Sequence, residues 1–122
     1  WIDRGATTLW ECWNGEGSRN HHMFSDFIAV LFKYLGGIKP DEAEPGCRKI
    51  IIKPQVNCGL DWVRAEHLSI HGKIGVGWEK KNSEVKFDIL VPKGCIAVFG
   101  IPGTMDYNRI LKEGKHIFSL KV

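Results

Sequence analysis

Apolar side chains recur at helical spacing from residue 24: Phe24, Phe27, Ile28, Leu31, Phe32 and Leu35 fall at i, i+3, i+4, i+7, i+8 and i+11, with Ser25, Asp26, Ala29 and Lys33 on the other side. This period predicts one long amphipathic helix. Ser18 or Asn20 can cap its start, and Gly36-Gly37 can stop it with a left-handed backbone that carries no Cβ penalty. The stripe is strongly aromatic. Burying each such side chain is worth roughly 1.5–3 kcal/mol, so the helix calls for a large apolar surface to dock on.

Beyond Gly37 the period changes. Residues 38–48 hold Pro40, Pro45 and Gly46 around Asp41-Glu42-Ala43-Glu44 and read as a solvated linker, with a domain boundary near Ile38. Lys49-Ile50-Ile51-Ile52-Lys53 is a β-branched run closed by Pro54. Period-two segments follow over residues 60–70, 73–80, 84–91 and 95–101, and Phe118, Leu120 and Val122 alternate at the end. His71-Gly72, Lys81-Asn82-Ser83 and Pro92-Lys93-Gly94 are the turns between them. The predicted fold is mostly β: an antiparallel, jelly-roll-like β-sandwich over residues 38–122, preceded by a loop and the long helix in residues 1–37.

Composition narrows the function classes. Hydrophobic residues make up 43% of the chain and charged residues 25%, as in an ordinary soluble domain. The net charge of +3 comes from 17 basic and 14 acidic residues without a basic cluster, which argues against a nucleic-acid partner. No apolar run approaches the roughly 20 residues of a membrane span. The chain begins at Trp1, so a processed piece of a longer protein is expected, and the compartment stays open. Cys12, Cys47, Cys58 and Cys95 are isolated and lack zinc-finger spacing; free buried or half-buried thiols are expected, with no metal and no cofactor.

The chemistry concentrates near the front. Trp10-Glu11-Cys12-Trp13 sets one carboxylate between two indoles, and Asn20-His21-His22 follows a turn made by Asn14-Gly15-Glu16-Gly17-Ser18. An ionisable group beside an apolar wall is what a sugar-processing site needs, although the same run can also end an element on a core edge. Trp62, Trp78, Phe87 and Phe99 lie in strand phase, either as core or as a platform for sugar stacking. His67, His71 and His116 have no convergent partners in the pattern and default to surface or turn roles.

Gly5-Ala6-Thr7-Thr8-Leu9-Trp10-Glu11, Asn20-His21 and Leu35-Gly36-Gly37-Ile38 together resemble the end of the catalytic domain of bacterial α-L-rhamnosidases. Pro40-Asp41, then Gly46-Cys47-Arg48-Lys49-Ile50-Ile51-Ile52-Lys53-Pro54-Gln55, Gly59-Leu60 and Trp62 are similar to that family's passage into its C-terminal β-sandwich. The resemblance implies that residues 1–37 close an (α/α)6 barrel, and that the parent enzyme removes terminal α-L-rhamnose from rhamnosides with inversion and without a catalytic metal. It implies Glu11 as the general base and His21 as a contact to the sugar; on that functional reading Trp10 and Trp13 supply an apolar or stacking surface beside the sugar, and otherwise they are core residues. Two departures stand out: Cys12 replaces the Arg common in the family, and the loop from Glu11 to His21 is shorter, which leaves His22 as an alternative to His21. An inverting glycosidase needs a second carboxyl as acid. The resemblance puts that acid upstream in the barrel, so the isolated chain is expected to be inactive; its aromatic helix would lie on the sandwich, self-associate or stay partly exposed, with some dimerisation or disorder expected over residues 1–19. A non-catalytic carbohydrate-binding or interaction module is the alternative reading.

Overall fold

The period-two stretches are strands, and they form two four-stranded sheets. The computed structural model describes residues 1–22, 26–103 and 108–122. One sheet holds β1 (Ile38–Pro40), β2 (Lys49–Ile52), β6 (Ile96–Phe99) and β7 (Arg109–Leu111), side by side in that order. The other holds β3 (Trp62–Ser69), β4 (Gly72–Lys81), β5 (Glu84–Val91) and β8 (Gly114–Lys121), also in that order. This second sheet is antiparallel throughout. Ser69 pairs with Gly72 and Lys81 with Glu84, which leaves two-residue hairpin loops. The second loop is admitted by Asn82 in the left-handed region (φ 57).

Alternation decides what the sheets bury. Ile74, Val76 and Trp78 of β4 and Val85, Phe87, Ile89 and Val91 of β5 share one apolar core with Ile50 and Ile52 of β2, Ala97 and Phe99 of β6, and Leu111 of β7. Phe87 meets Phe99 edge-on at 4.9 Å, and Phe118 lies 5.1 Å from Phe99 and 5.5 Å from Phe87. Each fully buried ring contributes about 1.5–3 kcal/mol, with about 0.5–1.5 kcal/mol more for each aromatic pair. Facing sheets with a common core make a β-sandwich.

The chain divides into two compact units, Trp1–Val30 and Leu31–Val122. Within it, several sequence expectations need correction. The long helix is a short one: α1 spans Asp26–Val30 and is followed by a π-helical turn, Leu31–Leu35. Phe24 of the predicted stripe and Ser25 of its polar side lie outside the described residues. The wide turn closes with the Gly36 N–H donating to the Leu31 carbonyl at 3.0 Å. Two tertiary bonds hold the end of that turn, since the Gln55 N–H donates to the Tyr34 carbonyl (2.9 Å) and the Trp78 indole N–H to the Leu35 carbonyl (2.9 Å). Phe27 and Ile28 are 66% and 56% exposed.

Residues 38–48 are not a linker. Ile38–Pro40 pairs antiparallel with β2, and the acidic run after it is a turn closed by the Glu44 N–H on the Asp41 carbonyl. The Lys49 ammonium 3.0 Å away, together with the Ala43 N–H, holds the Asp41 carboxyl below its ordinary range. The sheets are not wholly antiparallel either: β2 pairs parallel with β6, because the chain between them crosses through the other sheet before returning. The aromatic platform is also corrected, since Trp78, Phe87 and Phe99 are core and Trp62 alone of the four is exposed. Cys95 is buried, and burial pushes its thiol up, whereas Cys12 and Cys58 are exposed rather than tucked in. Among the described residues no helix is long and apolar enough to cross a membrane.

Candidate active site

The loop that carries Glu11 is tied to itself by backbone hydrogen bonds. The Glu11 N–H donates to the Ser18 carbonyl and the His21 N–H to the Leu9 carbonyl, both at 2.8 Å, so the two limbs of the loop run side by side. The Thr8 hydroxyl adds a bond to the Arg19 carbonyl. Between the limbs, Asn14 Oδ1 accepts the Glu16 N–H at 3.0 Å, and the Gly15 N–H reaches the Cys12 carbonyl at 3.1 Å. Gly15 and Gly17 supply left-handed φ values of 81° and 71°. The expected cap role of Ser18 is not what its hydroxyl does, since it accepts the Asn20 N–H within the loop at 3.3 Å.

This closure brings Glu11 and His21 together. Glu11 Oε2 accepts the Ser18 N–H at 2.9 Å and lies 3.7 Å from His21 Nδ1, close enough for an ion pair when the imidazole is protonated. The side chains are 44% and 27% exposed, so the carboxylate is anchored by one oxygen and accessible to solvent. Gly17 is what lets the carboxylate sit there. A Cβ at that position would fall 2.6 Å from Glu11 Oε2.

The two indoles part company. Trp10 is 6% exposed, with the Arg4 and Arg19 guanidinium carbons 5.7 and 5.0 Å from its ring. The same arginines fasten the loop backbone, Arg4 to the Asn14 carbonyl at 2.7 Å and Arg19 to the Gly15 carbonyl at 3.2 Å. Gly15 closes over the indole, where a Cβ would stand 2.8 Å from the ring. Trp10 is thus the core of the loop and offers almost no surface. Trp13 is 81% exposed and stacks on Trp1 at 4.5 Å, and the Trp1 indole N–H bonds to the Cys12 carbonyl at 3.2 Å. His22, the alternative to His21, is exposed.

Sequence reasoning did not find the Ser18 N–H, Gly17, Arg4 or Arg19. The run Asn14-Gly15-Glu16-Gly17-Ser18 announced a turn, but a turn signal does not say which amide ends up facing the carboxylate. Among the described residues no cluster of three or more His, Cys, Asp or Glu side chains is placed to hold a metal ion.

Residues 37–116 match the bacterial alpha-L-rhamnosidase C-terminal domain, and the chain belongs to that family. The alpha-L-rhamnosidase of Streptomyces avermitilis is 27% identical over 112 residues, covering 83% of this chain and 11% of that protein. The alpha-L-rhamnosidase of Alteromonas sp. (strain LOR) is 30% identical over 112 residues, covering 83% of this chain and 12% of that protein. Among solved structures, the native α-L-rhamnosidase of Aspergillus terreus superposes with a TM-score of 0.83 and 25% identity, over 98% of this chain and 15% of that one. The chain therefore spans only about a ninth to a seventh of the length of these relatives.

Proposed function

We propose that this chain is the C-terminal part of an α-L-rhamnosidase, an inverting glycoside hydrolase that removes terminal α-L-rhamnose from rhamnosides. Residues 1–37 form the tail of its (α/α)6 barrel and residues 38–122 a jelly-roll-like sandwich. Glu11 is the general base that takes a proton from the attacking water, and the general acid comes from the barrel upstream. His21 contacts the sugar, and Trp13 supplies the apolar wall, while Trp10 serves the site by keeping the loop closed. The upstream barrel covers Phe27 and Ile28, which are exposed in this chain.

The observation that carries this reading is the Glu11 carboxylate, held through one oxygen by the Ser18 N–H beside His21 and still 44% exposed, in a chain of rhamnosidase ancestry. A base must be fixed within hydrogen-bond reach of a water and yet be reachable by it. Inverting glycosidases hold their two carboxyl groups roughly 6.5–9.5 Å apart to leave room for that water. The full-length protein is expected to release rhamnose from an aryl α-L-rhamnoside, and residues 1–122 alone to release none. Turnover by the 122-residue chain would overturn the upstream placement of the acid.

Gly17→Ala tests the anchoring of the carboxylate. The atom that the new methyl would meet is the far end of the flexible Glu11 side chain, so the carboxylate moves off the Ser18 N–H, while the left-handed φ of 71° adds a backbone cost of about 1–2 kcal/mol that the melt reads. A misplaced catalytic group costs rate more than stability, and kcat should fall about tenfold or more, with a smaller change in KM. Steady-state kinetics with a thermal melt on the same sample separates the two; an unchanged kcat would show that the anchor is irrelevant.

A further inference from the structure

The outer face of the β3-β4-β5-β8 sheet carries a groove of about 730 Å³, remote in sequence from the Glu11 loop. Cross-strand register sets its shape. Gly77 lies between Arg64 and Asp88, Gly75 between Glu66 and Leu90, and Glu79 between Trp62 and Lys86. Two successive outward positions of a central strand are therefore bare backbone, walled on both sides by long side chains.

The fold does not ask for glycine at residue 77. Neither Gly75 nor Gly77 has a positive φ. A Cβ on Gly77 would make only ordinary contacts, 3.6 Å to the Asp88 carbonyl oxygen and 3.8 Å to Arg64 Cγ. Glycine in a strand interior weakens the strand, and where neither backbone nor packing needs it, it marks the close approach of something else.

The walls say what approaches. Three cations, Arg64, Lys86 and Lys115, face three anions, Glu66, Glu79 and Asp88. Each carboxylate is paired with a lysine: Glu66 with Lys73 at 3.2 Å, Glu79 with Lys81 and Asp88 with Lys115 at 3.0 Å. With Lys73 and Lys81 counted, this surface neutralises every carboxylate of the groove by an ion pair and keeps Arg64 and Lys86 as further cationic donors to ligand oxygens. It is too polar for the core of an interface with another domain, where charged side chains are depleted. Trp62 adds an indole that is 63% exposed. Donors and acceptors of both signs, a flat apolar ring face and a floor without side chains fit a neutral polyhydroxylated ligand.

We propose that this groove binds a neutral oligosaccharide, one sugar ring stacked on Trp62 and the hydroxyls of its neighbours bonded to Arg64, Glu79 and Asp88 above Gly75 and Gly77. The choice of a saccharide rests on the glycosidase reading of the parent; the groove itself does not depend on Glu11. In a parent rhamnosidase it would hold the glycan that bears the terminal rhamnose.

Affinity electrophoresis tests this with the 122-residue chain and the full-length protein, in gels containing xyloglucan, galactomannan, neutral arabinogalactan or no polysaccharide. At least one polysaccharide is expected to retard both proteins. Trp62→Ala should weaken that binding about tenfold, the size of a lost stacking contact, and Gly77→Val, which fills the floor, should do the same. Thermal melts of both variants show that they fold, and Glu11→Gln should be retarded like the wild type. Retardation by none of the polysaccharides overturns the proposal, as does retardation that both groove variants retain. Binding by the short chain but not by the full-length protein also overturns it, because another part of the parent would then occupy the groove. Hydrolysis of a small aryl rhamnoside reports on the Glu11 reading separately, so failure of either idea is visible without the other.

Discussion

Glu11→Gln is expected to lower kcat of the full-length protein on an aryl α-L-rhamnoside by about 10³-fold, while rhamnose affinity changes by about twofold or less. The substitution preserves the shape of the side chain, and an amide oxygen can still accept the Ser18 N–H that Glu11 Oε2 now receives at 2.9 Å. What it removes is the ability to take a proton from water. An interaction needed only in the transition state shows up in kcat and kcat/KM together, with little effect on ground-state binding. Steady-state kinetics and a rhamnose titration of the same variant check the two halves. A variant with near wild-type kcat would remove Glu11 from the mechanism, and one that lost affinity and rate in proportion would make it a binding residue.

The largest effect on stability is expected from Gly37→Ala. Gly37 joins the π-helical turn to β1 at φ 71°, and its carbonyl accepts the Lys53 N–H at 2.9 Å. A Cβ there would lie 2.2 Å from the Pro54 nitrogen and 2.3 Å from the Lys53 carbonyl carbon, both backbone atoms that cannot swing aside. The left-handed conformation alone costs about 1–2 kcal/mol for a residue with a Cβ. With the backbone collision added, a loss of about 3 kcal/mol or more is expected. For a unit of this size that is a fall in Tm of about 10–20 °C, read by calorimetry. Gly59→Ala is the control: Gly59 has φ 83° but open space around its missing Cβ, so only the backbone term should appear. Equal effects at the two sites would mean that the close approach to Pro54 contributes nothing.

The alternation of Ile74, Val76 and Trp78 against Val85, Phe87 and Ile89 was legible because a strand buried on one face repeats every two residues whatever it pairs with. The pairing itself was not. β1 and β7 have three residues each, too few for a period to declare itself, and the parallel pairing of β2 with β6 is a contact across distant sequence. The helix failed for another reason. Its stripe from Phe27 to Leu35 is real, but the shape of its last turn is decided by bonds from Gln55 and Trp78, which lie beyond any local window.

At the site, the run Trp10-Glu11-Cys12-Trp13 and the distant His21 were visible in the sequence, and the structure brings Glu11 and His21 within 3.7 Å. The different fates of the two tryptophans were not visible. Position along the chain treats Trp10 and Trp13 alike. Only the arginines at 4 and 19, folded over one ring, make Trp10 a buried support and leave Trp13 as the exposed face.

The claim that matters most is that Glu11 activates water rather than attacking the sugar itself. Proton NMR of the rhamnose released by the full-length protein in the first moments of hydrolysis, before the anomers equilibrate, tests it directly. The account predicts β-L-rhamnose as the first product from an α-L-rhamnoside, the inverted anomer left by a single displacement by water. If α-L-rhamnose formed first, a carboxylate would be acting as a nucleophile and the assignment of Glu11 as general base would be contradicted.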